Sequence, residues 1–146
     1  MSPKSTSTAA AIELAYQVKA LVPELNAALT KAFHPLGLSC VQADALMALA
    51  RIQPVRLKEL AAVLVAESGH PSRLLARLEE RGLVRRDPSP TDGRAVLLSL
   101  TADGERLAAL AEDARRPLVA EVARVAGDEE LRQAIELITR IRSLVD

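Results

Sequence analysis

The chain keeps a helical rhythm of apolar residues almost throughout and breaks it in one short stretch. Leu14, Val18, Leu21, Leu25, Leu29 and Phe33 step by three or four, which predicts a long amphipathic helix over residues 9–34. Pro23 lies inside it and predicts a kink. "HPLGLS" closes that helix, and Ser39 suits the N-cap of a second one with Val41, Ala45, Leu49 and Ile52 on its inner face. "QPVR" interrupts the chain, and Leu57, Leu60, Ala61 and Leu64 mark a short third helix. After the turn "ESGHPS" a fourth helix carries Leu74, Leu75 and Leu78 and stops at Gly82, where a left-handed residue belongs. "LVRR" and "AVLLSL" are short, apolar and partly β-branched; with "DPSPTDGR" between them they predict a β-hairpin. Thr101 opens a helix to about Ala126, with Pro117 as a second kink. Gly127-Asp128 recaps the chain, and Leu131, Ile135, Ile138, Ile141 and Val145 stripe a last helix. No repeat, linker or boundary divides residues 1–146. The pattern is a single domain, mainly α with a small β-hairpin.

Composition narrows the packing. A chain of 146 residues is long enough to remove roughly 68–70% of its unfolded surface from water. Its 26 alanines and 24 leucines, against one Phe, one Tyr and no Trp, favour helix-on-helix packing over a sheet core. No apolar run approaches the roughly 18 residues that span a bilayer, so no membrane partner is expected. "MSPKSTSTAAA" has one lysine and no apolar core, which predicts a short disordered lead rather than a secretory signal. The single cysteine excludes an intrachain disulfide framework and suits the cytoplasm.

Nineteen basic and 19 acidic side chains balance overall, but not evenly. Residues 51–94 hold nine Arg/Lys against six Asp/Glu, a surplus of three, and the flanks carry the matching deficit. That is a mild footprint for a polyanion. Catalytic chemistry finds no constellation. Cys40, His34 and His70 sit in no recognisable nucleophile or zinc context, so no catalytic residue, metal or cofactor is expected. Cys40, at a helix start, is expected to act as a small buried hydrophobe, and Tyr16 and Phe33 as core or interface residues.

Helix, tight turn, helix and hairpin is the order of a winged helix-turn-helix, whose second helix enters the DNA major groove. "LKELAAVLVAESGHPSRLLARLEERGLVRR" followed by "SPTDGRAVLLSLTADG" closely resembles the multiple-antibiotic-resistance regulator (MarR) family. The match rests on the Leu-Ala pair opening the third helix, on "RLLARLEERGLV", and on the wing "DGRAVLLSLTADG", which the family writes as Asp-x-Arg, an alternating strand, then Leu-Thr-x-x-Gly. It is detailed over about 50 residues and extends to the flanking helices only in length and place. The resemblance implies a winged lobe over residues 57–100 and dimerisation helices over residues 9–34 and 102–145. It also implies a ligand-responsive repressor that binds a pseudo-palindromic operator as a homodimer.

Mapped onto this chain, the wing-tip arginine is Arg94, Asp92 is the acidic partner that holds the wing, and Gly93 lies between them. A guanidinium on a short hairpin suits the narrow minor groove. The recognition helix departs from the family's Ser-Arg-x-Thr-Val-Thr-Arg with "ESGHPSR". Pro71 restricts that segment to the first turn, which places the helix start at Ser68 or Gly69, with Glu67 as a possible cap. Ser68, His70, Ser72, Arg73 and Arg77 then face DNA, Ser72 and Arg73 nearest the bases, and one of Arg85 and Arg86 reaches a phosphate. Arg81 is expected in a surface ladder with Glu79 and Glu80. Leu14, Val18, Ile135, Ile138, Ile141 and Val145 form the dimer stripe, since the lobe is too small to cover them. A small-molecule effector would bind between lobe and dimerisation helices, in a pocket that the scarcity of aromatics makes aliphatic. The alternatives are another winged-helix regulator class, or a winged-helix module that binds protein rather than DNA.

Overall fold

The computed structural model describes residues 3–64 and 70–145, with side chains from residue 8 onward. The chain runs α1 (Pro3–Phe33), a 3-10 turn (His34–Leu36), α2 (Cys40–Ile52), α3 (Leu57–Val63), α4 (Pro71–Glu80), β1 (Val84–Pro88), β2 (Val96–Leu100), α5 (Ala102–Val125) and α6 (Asp128–Val145). This is the expected winged helix-turn-helix, flanked by long helices. One boundary is corrected: α1 is helical from Pro3, where a disordered lead was expected. Proline fits a first helical turn, whose amides lack helical acceptors, and Ala9, Ala10 and Ala11 extend the helix with the best helix-forming side chain.

The caps fall where the sequence puts them. Ser39 Oγ accepts from the Gln42 amide at 3.1 Å, and Gln42 Oε1 accepts from the Ser39 amide at 3.1 Å, a reciprocal box that starts α2. Thr101 Oγ1 accepts from the Gly104 amide at 3.1 Å to start α5, and its hydroxyl donates to the Gly82 carbonyl at 2.6 Å. Gly82 closes α4 at φ +71°, a conformation that costs an L side chain about 1–2 kcal/mol.

β1 and β2 pair antiparallel with Val84 opposite Leu100 and Pro88 opposite Val96. The break "QPVR" does more than interrupt. The Val55 amide donates to the Leu98 carbonyl at 3.2 Å and the Leu98 amide to the Val55 carbonyl at 2.7 Å, so one residue pairs with the free edge of β2. Gln53 Oε1 extends this edge by accepting from the Leu100 amide at 2.8 Å.

The core gathers around α2. Ala43, Ala45, Leu46, Met47 and Leu49 are buried there, a broader face than the one expected, whereas Val41 and Ile52 are half-buried. The reason is position: α1, α3, α4, α5 and β2 all pack on α2. Phe33, Leu60, Leu75, Leu78, Leu98 and Ala111 complete it. Tyr16 is neither core nor covered in the single chain; it is 67% exposed, with the Lys19 ammonium 5.7 Å from its ring centroid.

α6 buries no residue. Ile135, Ile138, Ile141 and Val145 stand exposed, as does Val18 on α1, and Leu14 is half-buried. Leu14, Val18, Leu21 and Ile138 line a groove of about 360 Å³ that brings the two stripes together. No helix among the described residues is long and apolar enough to cross a membrane.

Candidate nucleic-acid interface

α4 starts later than expected. Its first residue is Pro71 and its N-cap is His70, whose side chain makes no capping bond. The start expected at Ser68 or Gly69 is thus corrected: a ring that fixes φ and removes the N–H sits best at the first helical position. Glu67, Ser68 and Gly69 lie outside the described residues. Leu74, Leu75 and Leu78 anchor the inner face in the core, each burial stabilising by about 1.5–3 kcal/mol. The opposite face carries Ser72, Arg73 and Arg77, all exposed. His70, Arg73 and Arg77 meet Ser39 and Gln42 around a shallow cleft of about 300 Å³. Neither Arg73 nor Arg77 has an ion-pair partner among the described residues.

Arg81 does not join them, and the expected ladder is absent. Its Nη1 donates to the Gly37 carbonyl at 2.9 Å, which ties the end of α4 to the turn after α1. Glu79 instead pairs with Arg86 at 2.8 Å, joining α4 to β1. These contacts cross between elements, so spacing along one helix did not reveal them. Arg85 pairs with Asp87 at 3.0 Å within β1. Exposed pairs of this kind are worth about 0–1 kcal/mol, so a phosphate can displace either carboxylate.

The wing turn is built on two side chains. Ser89, the one buried polar residue among those described, accepts from the Thr91 and Asp92 amides at 3.4 and 3.3 Å. Asp92 Oδ1 accepts from the Arg94 amide at 3.1 Å, while Oδ2 lies 3.5 Å from Arg56 Nη2 at the start of α3. Asp92 therefore links the wing tip to the start of α3. Gly93 and Arg94 are exposed, and Arg94 has no ion-pair partner among the described residues. Among the described residues of the lobe, Lys58, Arg73, Arg77 and Arg94 thus have no ion-pair partner, while Arg56, Arg81, Arg85 and Arg86 are engaged.

Ser89, Arg56 and Gly104 escaped a residue-level reading. Ser89 had a local signal, because a serine two residues before another turn residue favours this kind of amide capture. Gly104 was legible only as part of the motif Leu-Thr-x-x-Gly. Its role is contact: a Cβ there would lie 2.0 Å from the Leu83 carbonyl oxygen.

Behind the lobe a cavity of about 630 Å³ opens between α1 and α2. Val22, Leu25, Leu29, Val41 and Leu64 form its aliphatic walls. Cys40 lines it rather than filling the core; its Sγ lies 3.2 Å from Thr30 Oγ1 and donates to the Asn26 carbonyl at 3.6 Å.

Residues 38–104 match the model of a winged helix DNA-binding domain. The class that fold and geometry define is a winged helix-turn-helix DNA-binding protein. The chain is 35% identical over 89 residues to the organic hydroperoxide resistance transcriptional regulator of Bacillus subtilis (strain 168), a match over 58% of this chain and 60% of that relative's length. Wild-type MarR from Escherichia coli, in its apo form, is 26% identical, covers 88% of this chain and 96% of its own, and superposes with a TM-score of 0.64. A mutant of that protein complexed with operator DNA is 24% identical over 89% of this chain and 94% of its own, with a TM-score of 0.76. The chain is thus similar to MarR-type regulators in fold, and in sequence over part of its length.

Proposed function

We propose that this chain is a cytoplasmic transcriptional regulator without catalytic chemistry, a ligand-responsive repressor that binds a pseudo-palindromic operator as a homodimer. The observation that carries the reading is a set of exposed guanidinium groups without an ion pair among the described residues, Arg73 and Arg77 on α4 and Arg94 on the wing. Their clustering on one lobe, with Lys58 also unpaired there, favours a polyanionic partner. α4 enters the major groove, where Ser72 and Arg73 meet base edges and His70 and Arg77 lie alongside. Arg94 reaches the adjacent minor groove, held by Asp92 and Gly93, and Arg85 or Arg86 exchanges its carboxylate for a phosphate. Two copies join through the stripes of α1 and α6, which places two reading heads about 34 Å apart on one face of the duplex. A small molecule in the α1–α2 cavity would release the operator.

The test is anisotropy titration of the homodimer against duplexes from its own upstream intergenic DNA at several salt concentrations. Arg94→Ala should weaken binding by about 1–3 kcal/mol. It should also flatten the slope of log affinity against log salt by about two, one charge from each wing. A well-folded variant with unchanged affinity and slope overturns the role of the wing. Wild-type protein with no salt-dependent DNA affinity at all selects the other reading, a winged-helix module for a protein partner.

A further inference from the structure

The effector's chemistry is constrained by what lines the α1–α2 cavity. Among the described residues its walls are aliphatic and hold no aromatic ring, so they suit a flexible hydrocarbon body. Asn26, Thr30, Ser39 and Cys40 add oxygen and sulfur atoms, and no described lysine, arginine or histidine lines the space. Of the described lining residues one is charged, Asp44. Its carboxylate has no ion pair among the described residues. Arg115 is near enough to lower its pKa, but Arg115 is bonded at 2.6 Å to Glu112, which also accepts from Arg51 at 2.9 Å. Burial outweighs Arg115 and raises the Asp44 pKa above the ordinary carboxylate value. The fold therefore holds a half-buried carboxylate beside an apolar space, an arrangement that costs stability when the group is ionised unless something meets the charge.

Three ligand types respond differently. A carboxylate would set its charge against Asp44 with no lining cation to offset it. A neutral body would strip further water from Asp44 and leave it unpaired. An ammonium would form a charge-assisted hydrogen bond in a low-dielectric setting, with the side-chain oxygens of Asn26 and Thr30 as further acceptors. We propose that the cavity takes a small molecule with an aliphatic body and one protonated amine, and that Asp44 is the residue that holds the amine. This rests on the reading of the chain as a ligand-responsive regulator and specifies the ligand class at that site.

The test is calorimetric titration of the full-length protein, without DNA and near neutral pH, using three probes of equal length: octylammonium, 1-octanol and octanoate. Octylammonium should bind about tenfold or more tightly than octanol, and octanoate should bind least. Asp44→Asn should abolish the preference for the ammonium over the alcohol while the alcohol still binds. Octanoate matching octylammonium overturns the proposal, as does a preference that survives Asp44→Asn, or binding by none of the three. The wild-type ranking needs no variant, so misfolding of Asp44→Asn would not blunt the test. Because no operator is present, a chain that prefers the amine but ignores DNA would overturn the regulator reading and leave this one standing. The converse outcome would do the reverse.

Discussion

Replacing Gly104 with alanine would ordinarily stabilise a helix, by about 1 kcal/mol at an exposed interior position. Here the sign should reverse. The added Cβ would sit 2.0 Å from the Leu83 carbonyl oxygen, 3.0 Å from its carbon and 3.2 Å from Leu100 Cδ2. Two of those atoms belong to the backbone and cannot rotate away, so α5 and the start of the wing must part by about 1 Å. That movement stretches the bond from the Thr101 amide to the same Leu83 oxygen, now 3.0 Å, beyond hydrogen-bonding range. The lost bond is worth about 0.5–1.5 kcal/mol, and overpacking adds about 1–3 kcal/mol. Set against the helix-propensity gain, the net loss is about 1–3 kcal/mol, or a fall in Tm of roughly 2–12 °C for a chain of this size.

Two other glycines separate sterics from backbone strain. Gly82 has open space around a Cβ but φ +71°, so Gly82→Ala should lose about 1–2 kcal/mol through conformation alone. Gly93 has neither close neighbours nor positive φ, so Gly93→Ala should stay within about 0.5 kcal/mol of wild type. Thermal melts at one fixed protein concentration decide the matter. A Gly104→Ala protein as stable as wild type would refute the close approach of α5 to the wing.

Asp92→Ala should weaken operator binding through the wing, and should be less than additive with Arg94→Ala, since the carboxylate fixes the Arg94 amide and holds Arg56; full additivity in a double-mutant cycle would refute the bracing role. Ile138→Glu with Ile141→Glu should abolish the homodimer in sedimentation and remove DNA binding with it; a variant that stays dimeric would move the interface elsewhere. Asp44→Asn should raise the Tm at neutral pH. Burial raises the folded-state pKa of Asp44, so its stabilising contribution is complete below the unfolded pKa and is lost as pH rises through the folded one. The gap between variant and wild type should therefore close as pH falls through the carboxylate range, and a gap independent of pH would count against the desolvation.

The helices were legible because their apolar residues repeat with the period of the structure that buries them, and the caps because Ser39 and Thr101 act on amides three residues away. What escaped has no local period. Val55 pairs through a single residue, too short for alternation to register. Arg81 lies four residues beyond Arg77, which suggests a ladder, yet its partner is the Gly37 carbonyl, 44 positions away in the chain. The start of α4 was misplaced because Pro71 permits any position in the first turn, and the sequence does not choose among them. On the site, exposure of Arg73, Arg77 and Arg94 followed from helix face and turn position. Which arginines were already engaged did not, since Glu79 and Asp92 each reach another element.

The same cross-element contacts determine what can move together. Glu79 with Arg86 at 2.8 Å, the Leu83 amide on the Leu78 carbonyl at 2.9 Å, and Thr101 on Gly82 at 2.6 Å bind α4, the hairpin and the start of α5 at one corner. α4 and the wing are therefore positioned as a pair, and on the proposed reading a duplex that fits one is offered the other at fixed spacing. The turn after α1 meets that corner at Gly37, whose carbonyl Arg81 holds at 2.9 Å. The cavity lies beside this joint, between α1 and α2, with Leu64 at the end of α3 forming part of its wall. On the proposed reading, an occupant that spreads α1 from α2 would load the C-terminal end of α4 through Arg81, so a ligand that touches no DNA-contacting side chain could tilt that helix.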